Sequence, residues 1–167
     1  MQLREKDMLG RELLALAARL RAETAARGAM LIVNDRVDVA VAVGADGVQL
    51  GAASLPVEAA RPLLAEGMTI GASTHSIEEV QASTADFVVF GPVYDTPSKR
   101  AFGAPQGEAR LAEAVQASPV PVIAIGGIDA ARVAACRAAG AAGVAVIRAV
   151  LAAPDPGAAV RDLLDAA

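Results

Sequence analysis

Apolar residues along this chain follow two rhythms. Short runs such as residues 31–33 (LIV), 87–90 (FVVF), 122–125 (VIAI) and 143–147 (GVAVI) are apolar at nearly every position, as strands buried on both faces are. Between them lie longer stretches in which apolar residues return every three or four positions, the spacing of helices with one buried stripe. That alternation predicts repeated βα units with a parallel sheet. Seven strands are expected, at residues 2–4, 30–33, 47–50, 69–72, 87–93, 122–125 and 143–147. The longest helix is expected over residues 7–26, with Leu9, Leu13, Leu16 and Leu20 on the stripe that faces the sheet. An internal echo supports the repeat. GADGVQLG from Gly44, TADFVVFG from Thr84 and GAAGVAVI from Gly140 each place a helix end and a turn before a buried strand.

No linker or composition shift divides the chain, so residues 1–167 read as a single domain. The expected class is α/β, a TIM-type (β/α)8 barrel. Seven strands fall one short of eight and the chain opens on a strand, so the expectation is a barrel lacking its first βα unit. Open parallel edges invite pairing, which predicts that a partner chain, a second copy in a homo-oligomer, or rearranged helices cover them.

Composition narrows the function classes. Hydrophobic residues make up 54% and charged residues 20%, which excludes a disordered chain. Aromatic residues make up 2%, with no Trp and one Tyr, so the stacking platforms of single-strand binders are missing. A net charge of −4 adds to the case against nucleic acid, which needs a basic face. The opening MQLREKDM carries charges rather than a basic flank and an apolar stretch, and no run approaches the ~20 apolar residues of a membrane span. A soluble cytoplasmic protein with no membrane partner is expected. Cys136 is the lone cysteine, inside a helical run, and reads as a small buried hydrophobe.

In parallel α/β proteins, ligands bind beyond the carboxyl ends of the strands, so the residues at those ends are the ones to inspect. They include Arg4 and Lys6; Asn34, Asp35 and Arg36; Gln49 and Gly51; Ser73, Thr74 and His75; Thr96, Ser98 and Lys99; Gly126 and Gly127; and Arg148. AIGGI (124–128) followed about 20 residues later by GVAVIRAV offers backbone amides for a phosphate. Arg4, Lys6 and Lys99 are candidate anion clamps. Asp35, directly after a strand, suits either a Mg²⁺ ion beside a diphosphate or the N-cap of the next helix. His75 is the only histidine, and more often such a residue is structural than an acid/base. Ser76 and Glu79 after it are spaced as a helix cap.

At these residues the sequence resembles the thiamine phosphate synthase and TenI family from residue 2 to about residue 156. QLREK (2–6), NDR (34–36), GADGVQLG, GASTHS (71–76), FGPVYDTPSK (90–99), AIGGI and GVAVI stand in the family's order and spacing. The resemblance implies a thiamine biosynthesis transferase. Such an enzyme couples an aminopyrimidine methyl diphosphate with a thiazole phosphate and releases diphosphate with the help of Mg²⁺. By position, Gln2, Arg4, Lys6, Asn34 and Lys99 would hold the diphosphate and Asp35 the Mg²⁺. Ser73 would sit by the pyrimidine and the departing diphosphate, so that Ser73 and Lys99 carry the catalytic role. Thr96, Ser98, Gly126, Gly127, Ile147 and Arg148 would surround the thiazole phosphate.

The chain departs from the synthase pattern in three ways. QLGAAS (49–54) puts Ser54 where the family's second metal carboxylate stands, Arg148 replaces a serine, and the family's first strand and helix have no counterpart. The alternatives are a TenI-like thiazole tautomerase and a non-catalytic thiazole phosphate-binding protein. The tautomerase histidine of the FG-H-V segment is Pro92 here, which leaves His75 as the available base.

Overall fold

The computed structural model describes residues 1–97 and 104–167. Two compact units are present: Met1–Ser73 with Thr84–Asp86, and Thr74–Ser83 with Phe87–Ala167.

In the first unit the strands are β1 (Gln2–Leu3), β2 (Ile32–Asn34), β3 (Gly47–Leu50) and β4 (Thr69–Thr74, whose last residue belongs to the second unit). Between them run α1 (Gly10–Ala25), α2 (Val37–Ala42), α3 (Val57–Ala60) and a 3-10 turn at Arg61–Leu63. The strands pair in parallel and in chain order. Val33, Val48 and Ile70 are register partners, and all are fully buried in a core with Leu13, Ala17, Leu31 and Leu50.

The second unit holds α4 (Ile77–Gln81), β5 (Phe87–Phe90), α5 (Gly107–Ala117), β6 (Val122–Ile125), α6 (Ala130–Ala138), β7 (Gly143–Ala145), α7 (Arg148–Leu151) and α8 (Pro156–Asp165). β5, β6 and β7 pair in parallel. Phe90, Val88, Leu111, Val133 and Cys136 are its buried anchors. The class is α/β, and all seven expected strands exist among the described residues.

Boundaries differ from the sequence expectation where turn chemistry intervenes. β5 stops at Phe90 because Pro92 has no N–H to give a ladder, and the Gly91 N–H turns to the Thr74 carbonyl. β7 stops at Ala145, and Ile147 becomes the position before α7, which makes Arg148 a helix residue rather than a loop residue after a strand. β4 extends to Thr74, so Ser73 lies within a strand, and Asn34 closes β2 instead of following it. Helix α1 begins at Gly10. Leu9 lies outside it and is 57% exposed, and the buried stripe is Leu13, Ala17 and Thr24, flanked by the partly buried Leu16 and Leu20.

The internal echo has a physical basis in the first unit. Asp46 stands just before β3, and its carboxylate accepts from the Leu31 N–H at 2.7 Å and from Arg21 at 2.6 Å. Asp86 repeats this before β5: it accepts from the Ile70 N–H at 2.7 Å and pairs with Arg61 at 3.1 Å. Each carboxylate ties the N–H of a strand residue or its neighbour to an arginine of a helix or turn within the first unit. In the third copy Ala142 takes the aspartate's place, and the Arg137 guanidinium donates to the carbonyls of Ala141 and Ala142.

Candidate functional site

Parallel register sorts the first unit's side chains by face. Asn34 lies opposite Gln49 and Gln49 opposite Gly71, so these three and Ser73, two residues beyond Gly71, share the face opposite Val33, Val48 and Ile70. Polar groups therefore gather on one face at the carboxyl end.

Asp35 follows β2 with φ 60°, a left-handed conformation that short polar residues tolerate best. Its backbone N–H donates to the Gln49 carbonyl at 3.0 Å. The Asn34 Nδ2 donates to one carboxylate oxygen at 2.6 Å, and the Ser54 hydroxyl donates to the other. Ser54 Oγ in turn accepts from the Gly51 N–H at 2.6 Å. The N-cap alternative for Asp35 is corrected, because Arg36 holds the N-cap position of α2 and no side chain caps it. Arg36 itself forks onto Asp38, at 2.9 and 2.6 Å, so it is not a free clamp. This bond holds the Asp38 carboxyl below the ordinary aspartate range.

Gln2 opens β1 and Arg4 and Lys6 follow it, all exposed, and the structure gives their side chains no partner among the described residues. Two strands along, the Gln49 Nε2 donates to Ser73 Oγ at 3.0 Å. No cluster of three His, Cys, Asp or Glu residues suited to a metal is present among the described residues. The donor set at Asp35 is one carboxylate touching one hydroxyl. That set fits a Mg²⁺ ion that brings most of its ligands as water and substrate oxygens, as such ions commonly do with one or two protein carboxylates.

The second unit contains a cavity of about 500 Å³. Thr96, Gly126, Gly127, Ile147 and Arg148 all line it, so five of the expected substrate contacts meet in one place. Ser98 and Lys99 lie outside the described residues. Gly126 and Gly127 have φ of 101° and 66°. A Cβ on Gly126 would stand 2.6 Å from the Pro92 Cα, and one on Gly127 2.6 Å from the Asp95 carbonyl oxygen. Glycine is required at both by conformation and by space.

His75 also lines the cavity, with its Nδ1 at 2.6 Å from the Gly91 carbonyl. A carbonyl oxygen only accepts, so Nδ1 carries the proton. The His75 carbonyl accepts from the Gln106 amide at 3.1 Å. Beyond it Ser76 caps α4 by accepting from the Glu79 N–H at 3.1 Å, while the Glu79 carboxylate takes the His75 N–H at 2.6 Å. The expected helix cap is present, and it anchors the histidine.

Asp129 and Arg132 line the cavity too, and nothing about their spacing in the sequence separates them from ordinary helix-start charges. The Arg132 guanidinium donates to the Gly127 carbonyl and lies 4.6 Å from the Tyr94 ring centroid. Tyr94 donates to Glu108 at 2.6 Å. Burial, then this bond, pushes the Tyr94 phenol well above the ordinary tyrosine range. The glycine loop is thus braced by α5 and α6.

The chain matches the thiamine monophosphate synthase (TMP-TENI) family model over residues 1–150. It is 49% identical to a thiamine-phosphate synthase of Methanoculleus marisnigri, over 98% of this chain and 79% of that protein. It is 44% identical to a thiamine-phosphate synthase of Roseiflexus castenholzii, over 99% of this chain and 74% of the other. Among solved structures, a thiamine phosphate pyrophosphorylase from Pyrococcus furiosus superposes with a TM-score of 0.90 at 37% identity, covering 99% of this chain and 80% of that one. The chain belongs to the thiamine monophosphate synthase family and is a transferase of thiamine biosynthesis.

Proposed function

We propose that the chain joins an aminopyrimidine methyl diphosphate to a thiazole phosphate. The thiazole nitrogen lone pair forms the new C–N bond as the C–O bond to diphosphate breaks, and diphosphate leaves with the bonding pair. The observation that carries this reading is the cavity in which Gly126, Gly127, Thr96 and Arg148 meet. Backbone N–H groups of a glycine loop and of the following short helix suit a phosphate, and Arg148 adds a fixed positive charge.

The diphosphate half falls to Gln2, Arg4, Lys6, Asn34 and Lys99. Exposed cations beyond β1 with no partner among the described residues suit a highly charged anion at little cost in broken contacts. Asp35 and Ser54 would hold Mg²⁺, which when bound neutralises charge on the departing diphosphate. Ser73 donates a hydrogen bond toward that leaving group. Chemistry of this kind asks for alignment and charge stabilisation more than for proton transfer. His75 therefore serves the cavity as a fixed wall, not as a base.

The finer reading of the fold is a single (β/α)8-type barrel domain over residues 1–167 that supplies seven of eight βα units. Self-association is part of this reading. Outward Leu151 and Leu164, 77% and 69% exposed, support it. The enzyme works in the cytoplasm on small phosphorylated substrates, without nucleic acid or membrane.

Mass-spectrometric product analysis after incubation with both substrates and Mg²⁺ tests the proposal. Thiamine phosphate is the expected product. A thiazole isomer in its place, or binding of thiazole phosphate without turnover, would replace the reading with a tautomerase or a binding protein.

A further inference from the structure

Gln49 is a buried polar residue within β3, 3% exposed, where an uncompensated carboxamide would be costly. Its cross-strand partner is Gly71, which has no side chain to fill the space beside it. The carboxamide can therefore lie across Gly71 and reach the next residue on that face, Ser73, at 3.0 Å from Nε2 to Oγ.

An amide nitrogen only donates, whereas a serine hydroxyl has one proton to give and two lone pairs. The Gln49 bond occupies a lone pair of Ser73 and leaves the hydroxyl proton uncommitted. Among the described residues that proton has no acceptor. Ser73 is half-buried, so its hydroxyl keeps access to a ligand.

We propose that Gln49 is a positioning residue that presets Ser73 as a hydrogen-bond donor toward an anionic oxygen of the diphosphate. The proposal rests on the coupling reaction put forward above. It assigns to a buried strand residue the task of fixing the polarity of the hydroxyl before substrate arrives, so that no reorientation is needed as leaving-group charge develops.

Gln49→Glu is the direct test, because a carboxylate of the same shape only accepts and would draw the Ser73 proton to itself. With the full chain, both substrates and Mg²⁺, kcat should fall by about tenfold or more while KM for the thiazole phosphate stays near the parent value. In a Ser73→Ala background the same substitution should cost little further, whereas simple charge repulsion of the diphosphate would persist there. Gln49→His, which retains an N–H donor, should recover most of the activity. Should Gln49→Glu fail to melt cooperatively, Gln49→Met removes the donor without adding charge and should show a smaller loss with the same non-additivity. Calorimetry with inorganic diphosphate and Mg²⁺ separates the two readings. If the parent protein does not couple the substrates, the reaction is wrong, and weaker diphosphate binding by Gln49→Glu still supports the Ser73 polarity. Parent-like kcat and diphosphate binding in Gln49→Glu, or an equal loss with and without Ser73, would overturn the inference.

Discussion

Asp35 concentrates the residue-scale argument. Its left-handed backbone, its two hydrogen-bonded carboxylate oxygens and its contact with Ser54 hold one charge in a fixed orientation. Asparagine also tolerates that backbone, so Asp35→Asn should shift stability by less than about 0.5 kcal/mol in urea unfolding. Turnover should nevertheless fall on the order of 10²-fold, since the charge that would hold Mg²⁺ is gone. Equal losses of stability and activity would assign Asp35 a structural role instead. Tyr94, the chain's single tyrosine, gives a clean optical test of the brace behind the glycine loop. Its folded pKa lies above the unfolded value, so the folded state keeps the proton longer. The resulting stabilisation is complete below about pH 10 and is lost as pH rises through the folded value. Absorbance at the phenolate band should stay flat past the ordinary tyrosine range until the protein unfolds; a normal titration would remove the Tyr94–Glu108 bond from the account. Sequence could single out Asp35 from its place after a strand. It could not show that Tyr94, Glu108 and Arg132 form one brace, because that depends on how two helices pack.

Elements repeat a device that the residues only hint at. Asp46 and Asp86 each satisfy an N–H at the start of a strand, Leu31 just before β2 and Ile70 in β4, and an arginine from a helix or turn. Truncating either to alanine leaves a part-buried N–H without its acceptor, a loss of about 1–3 kcal/mol. Urea unfolding of Asp46→Ala and Asp86→Ala should show it; unchanged midpoints would mean that the echo is only a record of duplication. Sequence revealed the echo and all seven strands, since buried parallel strands leave unbroken apolar runs. It placed the ends of β3 and β6 and misjudged those of the other strands. Pro92 cut β5 short, α7 began earlier than the apolar run suggested, and α1 turned its stripe so that Ala17 rather than Leu9 packed inward. Apolar runs report burial, and burial continues past the last ladder hydrogen bond.

For the whole molecule, family membership and the α/β class were legible because the family's segments stand in order along the chain. The cavity was legible in part: Thr96, Gly126, Gly127, Ile147 and Arg148 were expected there, and Asp129 and Arg132 were not. A cavity wall drawn from His75 to Ala152 is set by tertiary packing, which local patterns do not encode. The central claim is a coupling enzyme whose metal is held by one carboxylate and one hydroxyl. Diphosphate release, followed continuously while Mg²⁺ is varied, tests it most directly. Release should require both substrates, saturate with Mg²⁺, and saturate at lower Mg²⁺ in Ser54→Asp, where a second carboxylate joins Asp35. Release that ignores a chelator, or none with both substrates present, would contradict the account.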